Sequence, residues 1–135
     1  MAHWIATKTA QMIIKQGKEI SKSKILVLGA TFKENVSDIR NSKVADLVNE
    51  LTGFNAIVHV VDPHANSEEF HHEYGLSLNP SIENNYDAII IAVNHEEYLK
   101  FNEAYFKSIC TEKGVIVDIK GTHRGQIKHL KYWCI

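Results

Sequence analysis

Lys24-Ile25-Leu26-Val27-Leu28-Gly29-Ala30-Thr31-Phe32-Lys33-Glu34-Asn35-Val36-Ser37-Asp38-Ile39-Arg40-Asn41-Ser42 reads as a buried strand that runs into a polar loop. Directly after it, Val44, Leu47, Val48 and Leu51 fall at the i, i+3, i+4, i+7 spacing of a helix packed on a sheet. A strand passing through a loop into a helix is the repeating unit of α/β folds. In such folds the loop at the strand's C-terminal end is where ligands bind.

The alternation continues along the chain. Asn41 or Ser42 can cap the helix and Gly53 can close it. Ala56 to Val61 is a β-branched run stopped by Asp62-Pro63, a strand ended by a turn. Ser67 to Tyr74 reads as a short helix followed by Gly75, Leu76-Ser77-Leu78 as a short strand, and Pro80 to Asn85 as polar loop. Asp87-Ala88-Ile89-Ile90-Ile91-Ala92-Val93 is apolar on both faces, so it belongs mid-sheet with helices on each side. Tyr98, Phe101, Tyr105, Phe106 and Ile109 supply one or two helical segments, and Gly114 to Asp118 another strand. The residues after that show no clear period. Ahead of the first strand, Ile5, Thr9, Met12, Ile13 and Gln16 mark an amphipathic helix that Gly17 can end. Right-handed crossovers then give an α/β fold: a Rossmann-like, mostly parallel sheet with helices on both faces, preceded by one extra N-terminal helix. That helix reads as an appendage.

Length and composition bound the function. The 135 residues fit one domain with a real core. A 44% hydrophobic, 23% charged composition is that of an ordinary soluble globular domain. The net charge of −1 supplies no basic field for nucleic acid. No apolar run approaches the ~18 residues of a membrane span, and Met1-Ala2-His3-Trp4 lacks the features of a signal peptide. The two cysteines, Cys110 and Cys134, form no CxxC. A cytoplasmic protein with structural cysteines is the expectation.

The loop holds the candidate chemistry. Lys33 and Arg40, with Phe32 beside them, suit an anionic, planar ligand: charge for phosphate and a ring for a base or sugar. Both cations could also be solvated charges paired with Glu34 and Asp38. The helix that follows adds free N–H groups and a partial positive charge. No GxGxxG is present, so the domain is not expected to hold the pyrophosphate of NAD by itself. Asp62 could bind a ribose hydroxyl, although a simple Asp-Pro turn is the preferred reading. His95-Glu96 lies past a central strand, either at a ligand edge or as the start of the next helix. Lys120, leading Gly121-Thr122-His123-Arg124, leaves the later strand at the same edge. His64, His71 and His72 lack metal-ligand spacing, so no metal is expected. No GxSxG elbow or Ser/His/Asp arrangement points to acyl transfer.

Phe32-Lys33-Glu34-Asn35-Val36-Ser37-Asp38-Ile39-Arg40 resembles the Phe-Lys-x-x-x-x-Asp-x-Arg signature of the UDP-glucose/GDP-mannose dehydrogenase family, in its C-terminal UDP-binding domain. Val60-Val61-Asp62-Pro63 resembles the family's Asp-Pro turn, and Val115 to Gly121 its later strand and basic loop. Met1 to Gly17 resembles the end of the long helix of the family's central domain. The resemblance implies a tail of that helix over residues 1–20 and a UDP-sugar-binding domain over 21–135. UDP-glucose enzymes usually carry threonine within the signature where this chain has Val36, and the version Phe-Lys-Glu-Asn-x-x-Asp-Ile-Arg-Asn is more similar to the branch acting on UDP-N-acetylhexosamines for bacterial surface polysaccharides.

Family enzymes oxidise C6 of a nucleotide-sugar in two NAD-dependent steps through a cysteine-bound intermediate. The resemblance therefore implies substrate contacts from Phe32, Lys33 and Lys120, and an approach of Arg40 to NAD held by another domain. No catalytic residue is expected within these residues. The family's NAD domain and nucleophilic cysteine precede the region matched, so the chain is expected to be a fragment, inactive alone. A homodimer paired through the first helix is the expected assembly. The alternative is a standalone nucleotide-binding or regulatory α/β module without catalysis.

Overall fold

The structure, a computed structural model, describes residues 1–135. Five strands build it: β1 (Lys24–Leu28), β2 (Ile57–Val61), β3 (Tyr86–Ile91), β4 (Cys110–Asp118) and β5 (Lys131–Cys134). They pair in the order β2-β1-β3-β4-β5, every pair parallel. Each connection between neighbours must therefore cross a face of the sheet, as the alternating pattern requires.

The two-residue period of the strands sorts their side chains. Ile25, Val27, Ala88, Ile90, Val115 and Val117 point into one core, together with Leu47 and Leu51 of α2 (Lys43–Gly53) and Phe70 of α3 (Ser67–Tyr74). Leu26, Leu28, Ile89, Ile91 and Ile116 point into the other. That face is covered by Tyr98 of α4 (Glu96–Leu99) and by Phe106 and Ile109 of α5 (Glu103–Ile109). β3 is buried at every position, so a run without polar alternation was its proper sequence signature.

The first helix, α1 (Ala2–Lys15), corrects the reading as an appendage. Ile5, Ala6, Met12 and Ile13 are buried in the first core, against the same face as α2. The stripe is thus covered within the chain by α2 and the sheet, while Trp4 and Ile14 of the same helix stay exposed. Gly17 ends the helix's exit turn at φ +88, where a side chain would be strained.

Several local expectations shift. Ser42, not Asn41, caps α2, its side chain accepting from the Val44 N–H, while Asn41 takes a left-handed φ of 57. Gly53 is the last helical residue, and Asn55 makes the left-handed turn at φ 67. Leu76-Ser77-Leu78 forms no strand. Instead Asn79 alone ties the passing chain to β2: its N–H donates to Val60 O at 2.7 Å and its Oδ1 accepts from Val60 N–H at 2.9 Å. β4 begins at Cys110 rather than Gly114, with an irregular register against β3. A Cβ on Gly114 would lie 2.7 Å from Cys110 Cβ, so the glycine makes room for that fold-over. β5 was not anticipated.

Candidate functional site at the strand switch point

The strand order reverses between β1 and β3, and the crevice outside their C-terminal ends is where open α/β sheets bind ligands. The loop Gly29–Ser42 occupies that point. It leaves β1 at Gly29, whose φ is +100 and whose missing side chain admits the β3 exit. A Cβ there would meet Val93 Cβ at 2.5 Å. Ser42 closes the loop by donating its hydroxyl to Ala30 O at 2.8 Å.

Asp62 and His95 lie under this loop, both side chains fully buried, with His95 Nε2 2.8 Å from Asp62 Oδ2. Asp62 Oδ2 also accepts the N–H groups of Ala30 (2.6 Å) and Thr31 (3.2 Å), while Oδ1 accepts those of His64 (2.7 Å) and Ala65 (2.9 Å). Burial alone would raise this carboxyl. The bonds from His95 and the backbone N–H groups outweigh it, holding the group below its ordinary value. His95 Nδ1 accepts the Asn35 N–H at 2.9 Å, and Asn35 Oδ1 accepts the Glu96 N–H at 2.8 Å. Neither Asp62 nor His95 is free to touch a ligand. They hold the loop that can.

Above them lies a cavity of about 180 Å³. Phe32 and Lys33 of the loop and Lys120 beyond β4 border it together. Lys43 and Val44 at the start of α2, Val93 beyond β3, Ile5 of α1 and Glu34 of the loop are among the other residues that line it. Phe32 stands 57% exposed, an unusual position for a phenylalanine and the right one for a ring that stacks on something absent from the chain. None of Lys33, Lys43 and Lys120 belongs to the chain's ion pairs. Three ammonium groups outside any ion pair, against the single carboxylate of Glu34 in the lining, with a mostly apolar wall and the N-terminal end of α2, suit a phosphate-bearing ligand with a ring.

Arg40 departs from this group. It does not border the cavity. Its guanidinium grips Asp38 through two bonds, Nε to Oδ1 and Nη2 to Oδ2, each 3.0 Å. That grip holds the Asp38 carboxyl down at about 2. Of the two loop cations, one is paired as a surface charge and one is left free.

Residues 26–124 match the UDP-glucose/GDP-mannose dehydrogenase family, UDP binding domain. The chain belongs to this family. It is 34% identical over 121 residues to UDP-N-acetyl-D-glucosamine 6-dehydrogenase of Salmonella typhi, covering 89% of this chain and 28% of that protein. It is 36% identical over 113 residues to UDP-N-acetyl-D-mannosamine dehydrogenase of Methanococcus vannielii, covering 81% of this chain and 26% of that protein. The chain thus spans little more than a quarter of the length of these relatives. In fold it is similar to the UDP-D-ManNAc dehydrogenase of Pyrococcus horikoshii, with a TM-score of 0.81 over 98% of this chain and 30% of that one, at 22% identity.

Within this UDP-binding domain the loop after β1 differs from a dinucleotide-binding turn. The β1 loop runs far from its strand before α2 begins, without the glycine fingerprint that brings a pyrophosphate onto a helix end. Asp62, at the position of the ribose-binding acid, has both oxygens committed to N–H donors and is sealed from solvent. The Asp-Pro turn reading holds and is enlarged: the carboxylate makes the turn and ties two loops together.

The basic cluster after β4 also divides. Asp118, fully buried, accepts the N–H groups of Gly121 (3.1 Å) and His123 (2.8 Å) and the Tyr132 hydroxyl (2.6 Å). His123 is buried, its Nε2 3.0 Å from Phe101 O, and Arg124 donates to Ile135 O at 3.1 Å. Only Lys120 reaches the cavity. Burial, and then the charge of Asp87, push the Cys110 thiol up to about 12, so little thiolate forms near neutral pH. Asn94 Oδ1, beside His95 in sequence, is the one buried side-chain oxygen or nitrogen without a hydrogen-bond partner. No group of three or more His, Cys, Asp or Glu side chains is arranged to hold a metal ion.

Proposed function

We propose that this chain is the UDP-sugar-binding part of an NAD-dependent nucleotide-sugar 6-dehydrogenase. The substrate class is a UDP-N-acetylhexosamine whose C6 alcohol is oxidised to a carboxylate for surface polysaccharide synthesis, in the cytoplasm and within a homodimer. The observation that carries the reading is the meeting of Phe32, Lys33 and Lys120 at one cavity on the switch-point edge of the sheet. Lys33 and Lys120 neutralise phosphate oxygens, and Phe32 covers a ring face. Family membership and the relatives' names support uridine diphosphate as the carrier and an N-acetylhexosamine as the sugar.

The domain division follows from the same reading: residues 1–20 continue a helix of a central domain and 21–135 form the UDP-sugar-binding unit. NAD and the nucleophilic cysteine belong to parts of the enzyme outside residues 26–124. Arg40 reaches NAD only if it releases Asp38 when the domains close. The 135 residues alone do not catalyse. Calorimetry with UDP, GDP and UDP-N-acetylglucosamine tests the core of this reading. UDP and its sugar should bind and GDP should bind more weakly. Equal silence from all three would remove the nucleotide assignment.

A further inference from the structure

We infer that His95 is a positioning residue for the substrate-contacting loop: one buried imidazole clamps both ends of the segment that carries Phe32 and Lys33. The inference rests on the nucleotide reading for its consequence, but not for its geometry. Nε2 sits 2.8 Å from Asp62 Oδ2 and 3.2 Å from Thr31 Oγ1, just before Phe32. Nδ1 accepts the N–H of Asn35, two residues after Lys33, at 2.9 Å. Asp62 has only acceptors to offer, so Nε2 carries the proton and Nδ1 is the free acceptor. The tautomer is therefore fixed by the same contacts that fix the loop.

Asn35 answers the clamp. Its φ of 61 turns the chain, and its Oδ1 accepts from the Glu96 N–H, so Asn35 and His95-Glu96 hold each other from both sides. Between the two anchors Thr31 Oγ1 donates to Lys33 O at 2.8 Å, which leaves the Phe32 and Lys33 side chains as the parts that project outward. Neither Phe32 nor Lys33 has a tertiary side-chain bond of its own in the chain. Their aim at the cavity comes from the backbone that His95 pins. His95 is on β3's exit, so it sets the β1 loop from the neighbouring strand across the switch point.

Two conservative variants separate the halves of the clamp. In His95→Asn the amide oxygen can take the place of Nδ1 and keep the Asn35 bond, while the Asp62 bond is lost. In His95→Gln the amide nitrogen can reach Asp62, while the Asn35 acceptor is lost. UDP calorimetry and amide exchange across residues 33–38 are measured on the full chain for both. His95→Gln should bind UDP at least tenfold more weakly, with faster exchange in the loop but not in the sheet. His95→Asn should weaken binding less, because the Ala30 and Thr31 N–H groups stay bonded to Asp62 Oδ2 when the imidazole bond is lost. Equal UDP affinity in the parent and His95→Gln would overturn the inference. So would parallel losses in both variants that track thermal stability, because they would make His95 a packing residue only. If the parent itself does not bind UDP, the nucleotide reading fails. Loop exchange in His95→Gln against His95→Asn then still decides the clamp.

Discussion

Gly29 and Val93 approach so closely that a single methyl group on the glycine would lie 2.5 Å from Val93 Cβ and 2.9 Å from Val93 N. This contact joins the exits of the two strands between which the cavity opens. Gly29→Ala should cost about 1–3 kcal/mol from overpacking, and roughly 1–2 kcal/mol more from forcing a side chain to positive φ. Urea unfolding measures it. A variant as stable as the parent would mean that the loop can retreat from β3 without loss.

The free and paired cations should behave oppositely. Lys33→Ala or Lys120→Ala should weaken UDP binding by about 1.5–3 kcal/mol, the range for a hydrogen bond to a charged group. Folding should change by no more than about 0.5 kcal/mol. Arg40→Ala should leave UDP affinity unchanged, because Arg40 is spent on Asp38. If Arg40→Ala proved the more damaging substitution for UDP, the cavity would be the wrong place for the phosphates.

Acid should act on Asp62. Its folded value lies below the unfolded one, about 3.9 for an ordinary aspartate. Such a group contributes stability that is complete above the unfolded value and is lost as pH falls through the folded one. Carboxyl carbon NMR should show Asp62 titrating below pH 4, with the Asn35 and Thr31 amides shifting alongside as the loop loses its anchor. A titration midpoint above 4 would reverse the sign of this contribution.

Cys110 should resist alkylation. With its thiol pushed up to about 12, almost no thiolate exists at pH 8. Iodoacetamide should modify it only after denaturation, and the purified chain should reduce no NAD with any UDP-sugar. Turnover that disappears in Cys110→Ser would give this thiol a role that its burial argues against.

The buried stripe of α1 should matter to the isolated chain. Ile13 is 1% exposed in the core, and Ile13→Ala should cost about 2–5 kcal/mol. Deleting residues 1–17 should expose the sheet beneath and promote aggregation, read by sedimentation. A truncated chain that remains equally stable and monomeric would show that the seat of α1 needs no cover.

What the sequence made legible follows from how local each signal is. The β-branched, continuously apolar run around Ile89-Ile90-Ile91 reads as a central strand, and the structure places β3 there, buried at every position. Ser67 to Gly75 carried a whole helix with its glycine stop, and the structure places α3 at Ser67–Tyr74 with Gly75 at φ +70. β5 escaped because Lys131-Tyr132-Trp133-Cys134 is four residues long and polar at one end. Its alternation, Tyr132 to one core and Trp133 to the other, shows only once β4 is beside it. The tie between Asp62 and His95 joins residues 33 positions apart through a fold. Nothing in the spacing of either separates a ligand-binding acid from one buried under a loop. Lys120 and His123 stood in one basic cluster, and only the Asp118 turn sends the first outward and the second inward.

The placement of α1 sets an order on synthesis. Within these residues α1 is made before any strand, and its seat lies chiefly against α2 and is completed by β3 and β4, of which β4 ends at Asp118. At roughly 5–20 residues per second, the apolar face of α1 waits on the order of 5–20 seconds for that seat to be complete. During that interval Ile5, Met12 and Ile13 lack the sheet side of their seat. Slow translation of the β3–β4 region would lengthen the time for which α2 alone covers that face.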